Sequence, residues 1–582
     1  MTDAGFLAEF PPVVTQDWED AIRKDLKGVD YARKLLWQTG EGLAVKPYYR
    51  AEDIAELEQP RGSPGDFPYM RGTRSTPGWR IREEIAAAEP DEANRAARAA
   101  VASGADEIAF RGARLFNDSD LRLLLLNLDG VPVHFETADA SLLRLLKDCL
   151  LRRPHGAMIS TGWDPSSDLD FAAEFADSSI PSLRPFAIHG EAFERSGANA
   201  VEEVAFSLSA AIDFMAAMQE RGLSADRAAD SIAFSFAIGS AFFVQVAKFR
   251  SFRMLWAQVV THFGGSHECA RTRIHAQTAH WNKTVYDPHV NILRATSEAM
   301  AAALGGADSI SLLPFDASYK PPDAASLRLA RNTQLLLRHE AQLDRVADPG
   351  GGSYFLEAIT DSIARLSWEL MQEFEQVGGF QKASESGVIA QKLAANLTAK
   401  EQAVASRRAA LTGTNRYADP DETALSRIDP AHEELLPRGA QSYETLRLRS
   451  ERCIAKTGKK PHILLAEIGD LKMRGARSQF AADIFACAGL PTTTRQFSDA
   501  MEIALSEADL IVLCSSDTEY LDYASNLFVA LKKLDRKTPV VIAGNPETAD
   551  DLRKLGIADF VHLRSNPVQF LLRWQKQLGI ED

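Results

Sequence analysis

No stretch of the chain reaches the roughly 18 consecutive apolar residues that a membrane-crossing helix requires. The greasiest segment, Ser231–Phe243, is broken by Ser235, Gly239 and Ser240. A membrane span is therefore not expected. Cysteine is scarce: Cys149, Cys269, Cys453, Cys487 and Cys514 are the five, scattered and without a Cys-x-x-Cys pair. That excludes a disulfide scaffold and a thiolate zinc site, and it fits reduced thiols in a cytoplasm. Basic charge is in deficit, with 65 Lys and Arg against 80 Asp and Glu in 582 residues, a net charge of −15. A surplus of acid argues against general binding to nucleic acid or to anionic membranes. The opening Met1-Thr2-Asp3-Ala4-Gly5 lacks a basic region followed by an apolar core. No secretory signal is expected, and the expected location is cytoplasmic.

What is present is a long, regular α/β pattern. Residues 1–60 are too thin to build a core of their own, although Trp18, Leu26, Leu36 and Trp37 need burial. They read as an arm that packs on its own barrel or wraps a partner subunit. Eight short β-rich runs follow: Trp79–Glu84, Glu107–Phe110, Val131–Glu136, Ala157–Thr161, Pro185–His189, Ile232–Phe236, Arg273–Gln277 and Ser309–Leu313. Each is followed by a helical stretch, among them Ala140–Arg152 and Ala324–His339. Eight such units in series predict a (β/α)8 TIM barrel over residues 61–410. Residues 411–458, rich in Pro, Asn, Asp and Thr in their first half, read as a linker. Residues 459–582 hold five further strand–helix units and predict a flavodoxin-like doubly wound domain.

In both architectures ligands gather at the carboxyl ends of the strands. For the barrel this singles out Arg82, Glu84, Glu136, Thr161, His189, the run Arg273–Thr278 and Phe315-Asp316, a polar set without a clear nucleophile–base pair. His189 is either functional or a hydrogen-bonded rim histidine. Alternation places Arg273, His275 and Gln277 on one strand face, aimed into the barrel or its mouth. An inward arginine needs an anion, which a ligand phosphate or an internal carboxylate could supply. In the second unit, the loop Gly469-Asp470-Leu471-Lys472-Met473-Arg474-Gly475 enters a helix. Ser515-Ser516 and Gly544-Asn545 close two later strands.

These residues resemble the adenosylcobalamin-dependent acyl-CoA mutases of the methylmalonyl-CoA mutase type, nearly end to end. Phe10-Pro11-Pro12-Val13 and Lys46-Pro47-Tyr48-Tyr49 are similar to the family's arm. Pro64–Gly72 with Pro77-Gly78-Trp79-Arg80-Ile81-Arg82 resembles its lead-in to the barrel. Gly197-Ala198-Asn199-Ala200, Lys248-Phe249-Arg250, Arg273–Trp281, Ala330–Gln334 and Asp348-Pro349 follow in family order. The resemblance implies a mutase barrel joined to a cobalamin-type domain.

The departures bear on function. In the family's Asp-x-His-x-x-Gly loop the histidine binds cobalt. Here Asp470 and Gly475 remain, but Lys472 holds the histidine's place. A lysine, with a pKa near 10.4, almost never offers a free lone pair at neutral pH. Ser-x-Leu has become Ser515-Ser516-Asp517, and Gly-Gly has become Gly544-Asn545. The barrel histidine of active members aligns with Ala192. The expectation is the small, non-catalytic subunit of a heterodimeric methylmalonyl-CoA mutase, a pseudoenzyme that stabilises a large catalytic subunit. Adenosylcobalamin would then be held by that partner rather than by this chain. CoA or acyl-CoA binding at Arg273 stays open, with no metal, nucleic-acid or membrane partner expected. A rival reading is a self-sufficient mutase for another acyl-CoA, with His189, His275 and Gln277 as substitutes. A third is a regulatory or assembly protein on a dead mutase scaffold.

Overall fold

The computed structural model describes residues 13–57, 62–136, 139–177, 180, 182–432 and 437–581. Phe10-Pro11-Pro12 lies outside them. The arm begins with the amphipathic helix Thr15–Asp25, continues through helix Tyr31–Leu35, and forms a small hairpin of Trp37–Gln38 against Ala44–Val45. This hairpin falls where loop was expected from the sequence. Leu43 and Val45 are buried in the barrel's own core, and Tyr49 packs on Phe355 with ring centroids 5.1 Å apart. Val13, Val14 and Trp37 stay more than half exposed. One half of the arm is therefore spent on its own barrel, and the other half is left uncovered.

All eight expected strands form: β1 (Arg80–Ala86), β2 (Glu107–Arg111), β3 (Val133–Phe135), β4 (Ile159–Trp163), β5 (Leu183–His189), β6 (Ile232–Ile238), β7 (Ile274–Thr278) and β8 (Ser309–Ser311). They pair in parallel and in sequence, and β8 returns to β1 to close the barrel. Alternation divides each strand. Ile81, Ile85, Ile108, Phe110, Val133, Phe135 and Ile274 are buried beneath the helices, each contributing about 1.5–3 kcal/mol. The intervening residues turn inward and are largely polar. Among the described residues no helix is long and apolar enough to cross a membrane.

The second sheet contains β9 (Ile463–Glu467), β10 (Thr492–Gln496), β11 (Leu510–Cys514), β12 (Val540–Ile542) and β13 (Asp559–Phe560). All pairs are parallel, in the spatial order β10-β9-β11-β12-β13. This is the doubly wound 2-1-3-4-5 arrangement, whose switch point lies between β9 and β11. The stretch read from the sequence as a linker carries a 17-residue helix, Gln441–Thr457. Its Tyr443 and Leu446 join Val404 and Leu411 in the core against this sheet.

Candidate functional site

The carboxyl ends of the barrel strands open into a cavity of about 400 Å³. Leu312, Leu313 and Ala330 supply apolar wall, while Arg111, Arg195, Gln277, Thr278 and His280 converge from the other side. Arg111 pairs with Glu84 at 3.2 Å, and Arg331 pairs with Glu83. Arg195 ends the short helix Gly190–Arg195 and forms no ion pair among the described residues. Burial, reinforced by Arg195 and Lys283, pushes His280 down to about 3, so it stays neutral.

Beneath the mouth the barrel is filled by its own side chains. Arg82 turns into the interior and donates through Nε and Nη2 to Glu107 Oε1 on the neighbouring strand at 2.8 and 2.5 Å. Arg80 reaches Glu107 Oε2 at 2.8 Å. Burial would raise the Glu107 carboxyl, yet these two guanidiniums hold it below the ordinary carboxylate value. His134 Nδ1 bonds with Ser160 Oγ at 2.9 Å, and His275 Nδ1 bonds with Ser309 Oγ at 2.8 Å. Burial and the nearby Arg82 push both imidazoles well down, so both are neutral. The packing leaves voids of about 40 and 30 Å³ along the axis.

The sequence-derived candidates separate on inspection. His189 lines the interior, with Nδ1 at 2.9 Å from Glu191 Oε1 and Nε2 at 2.9 Å from the Gly162 carbonyl oxygen. Both partners only accept, so both ring nitrogens donate and none keeps a lone pair for base or metal chemistry. Gln277 faces both the cavity and the interior. Arg273 does not join it. It precedes β7, lies exposed at the opposite end of the barrel, and lines the void there with Arg80 and Arg184. Arg273 shares that void with His275, so the expected inward face holds, but Arg273 falls at the amino-terminal end of the barrel because the strand starts at Ile274. Thr161 is structural, its Oγ1 donating to the Pro185 carbonyl at 2.6 Å. Ala192 sits exposed in its short helix with no chemistry to offer. Asp316 is buried beside Lys320 at 3.3 Å. Sequence reasoning missed Glu107, Glu191 and Arg195; Glu191, two residues past His189, was the one with a local signal.

In the second sheet Asp470 is the N-cap of helix Leu471–Ala486, accepting from Met473 N–H at 2.8 Å. Lys472 lies exposed in the first turn, and Gly475 falls inside the helix rather than in a loop. Ser515 donates to Glu519 at 2.8 Å. Gly544 closes β12 beside the ring of Tyr520. A cobalt ion would find an exposed ammonium where an imidazole is needed, and a corrinoid would find the strand ends already occupied. The residues present do not fit that cofactor. No cluster of metal-ligating side chains occurs among the described residues.

Comparison with known proteins agrees with this architecture. Residues 38–120 and 164–483 match the model of the methylmalonyl-CoA mutase family. A methylmalonyl-CoA mutase small subunit from Porphyromonas gingivalis is 35% identical over 98% of both chains. One from Streptomyces virginiae is 32% identical, also over 98% of both. A methylmalonyl-CoA mutase of Escherichia coli is 29% identical over 75% of this chain and 68% of its own length.

Proposed function

The chain belongs to the methylmalonyl-CoA mutase family, and from that premise we propose that it is the small, non-catalytic subunit of a heterodimeric mutase. Its partner is a longer catalytic chain that carries adenosylcobalamin and isomerises methylmalonyl-CoA to succinyl-CoA. In that chemistry the cofactor makes the radical, and the protein excludes water and holds the thioester. This chain stabilises the partner and does none of the chemistry.

The observation that carries this reading is the filled barrel. Arg82, held by Glu107, borders the mouth cavity and both of the small voids beneath it, so a substrate arm running along the axis would have to displace it from that pair. Breaking a buried pair costs about 3–5 kcal/mol. His189 and His275 are bonded to their neighbours, so the barrel's histidines are committed to structure. The exposed half of the arm supports the partner role, because Val13, Val14 and Trp37 present apolar surface that is more than half exposed among the described residues.

The test is purification of the full chain alone and with the co-expressed catalytic paralogue. The expected result is a colourless, inactive chain alone and a one-to-one complex with mutase activity. Removal of residues 1–37 should leave the barrel folded and abolish the complex. Corrinoid absorbance together with turnover by the isolated chain would sink the proposal.

A further inference from the structure

In a doubly wound sheet the ligand crevice lies beyond the carboxyl ends of the strands that flank the switch point. Here those are β9 and β11, and the loops that follow them face each other across the Glu519 carboxylate. A single oxygen, Oε2, accepts from four donors. They are Ser516 Oγ at 2.6 Å, Ser515 Oγ at 2.8 Å, the Asp470 N–H at 3.1 Å and the Ser516 N–H at 3.3 Å. Two hydroxyls and two main-chain N–H groups converging on one point make an oxyanion cradle. The backbone is shaped around that occupant. Gly469 has a φ of +81°, and a Cβ there would stand 2.5 Å from Glu519 Oε2 and 2.7 Å from Ser515 Oγ.

The neighbouring slot is filled as well. Tyr520 is fully buried, its hydroxyl donating to the Ala543 carbonyl at 2.7 Å and accepting from the Ser515 N–H at 3.1 Å. Its ring lies between the ends of β11 and β12, where a Cβ on Gly544 would come within 3.1 Å of it. Asp517, paired with Arg477 at 3.0 Å, lies 3.0 Å from the same Cβ position.

We propose that this crevice is a site for a phosphate-type oxyanion with an adjoining flat ring, and that the chain keeps it filled with its own Glu519 and Tyr520. This deepens the proposal above, since a corrinoid is then excluded by occupancy as well as by the loss of a cobalt ligand. Neutralising or moving Lys472 would not by itself open the site. Removing the Glu519 carboxylate would, because it leaves four donors around an empty point that an oxygen of inorganic phosphate can take.

The test uses the full chain and inorganic phosphate, with chloride at equal ionic strength as control. The wild-type chain should show no saturable response. Glu519→Ala should melt at lower temperature, and phosphate should raise that temperature saturably. Ser516→Ala in the same background should weaken the rise. Glu519→Gln, which keeps an oxygen in the cradle, should behave as wild type. Glu519→Ser, which retains a hydroxyl at the start of the helix, serves if the alanine variant does not fold, and should gain the same phosphate response. Equal stabilisation of wild type and variant, or no stabilisation of either Glu519→Ala or Glu519→Ser, would overturn the inference. Corrinoid retained by the wild-type chain would overturn both the occupancy claim and the non-catalytic reading, whereas a missing phosphate response in a colourless chain would overturn this inference alone.

Discussion

His189 shows how a residue of catalytic type can be fully committed to structure. Burial alone would lower its pKa, but the hydrogen bond and charge of Glu191, with the Gly162 carbonyl, raise it to about 9. In the unfolded chain it titrates near 6.5. A histidine whose folded pKa lies above its unfolded value stabilises fully below about pH 6.5 and loses that contribution as pH rises through about 9. The wild-type chain should therefore lose on the order of 2–3 kcal/mol more than His189→Gln between those limits, as read by urea denaturation. Parallel losses in the two proteins would show that His189 is not a structural imidazolium. At this scale the sequence was legible where a single strand was enough, as for His275 and Gln277, which line the interior together. It was silent on Arg82 with Glu107, because that pair exists only once β1 and β2 are in register. It placed Arg273 on the right face but at the wrong end of the barrel, because alternation names a face and not the residue at which a strand begins.

Helix Leu471–Ala486 shows the same conversion for a whole element. Asp470 caps it, and no atom lies within 4 Å of the position a Cβ would take on Gly475. A helix-interior glycine without a close neighbour costs roughly 0.5–1 kcal/mol relative to alanine. Gly475→Ala should therefore stabilise the chain by about that amount, and Asp470→Ala should destabilise it by about 1 kcal/mol through loss of the cap. Equilibrium denaturation of both variants checks the pair; a destabilising Gly475→Ala would mean the glycine still serves a close approach. The regular elements were legible because their apolar residues keep period. The helices Ala140–Arg152 and Ala324–His339 begin and end at the expected residues. Helix Gln441–Thr457 escaped for a physical reason. Its buried face is Tyr443, Glu444, Leu446, Arg447 and Ser450, three of the five polar or charged, so no apolar stripe announces it.

That helix joins the two halves of the molecule. On one side Glu444 accepts from the Val285 N–H at 2.6 Å and from Arg438, and Tyr286 donates to Glu451 at 2.5 Å. The Arg447 guanidinium lies 3.8 Å over the Tyr286 ring. On the other side Gln575, from the last helix, donates to the Leu446 carbonyl at 2.7 Å and to Ser450 Oγ at 2.9 Å. The barrel's β7–β8 loop and the second sheet are thus bonded to opposite faces of one helix. The proposed role of supporting a partner would need this rigidity more than an open cleft, since two halves free to hinge could not present one fixed surface. Glu444 is the weak point, being only 3% exposed and accepting from both the Val285 N–H and Arg438. Glu444→Ala removes that acceptor from the Val285 amide and from Arg438, which keeps the Lys283 carbonyl, a loss of about 1–3 kcal/mol. The expected calorimetric result is that one cooperative transition becomes two, the barrel and the second sheet melting apart, with the catalytic partner bound more weakly. Glu444→Gln, which keeps one acceptor oxygen, should fall between. A single transition of unchanged midpoint in Glu444→Ala would mean that the halves are held together elsewhere.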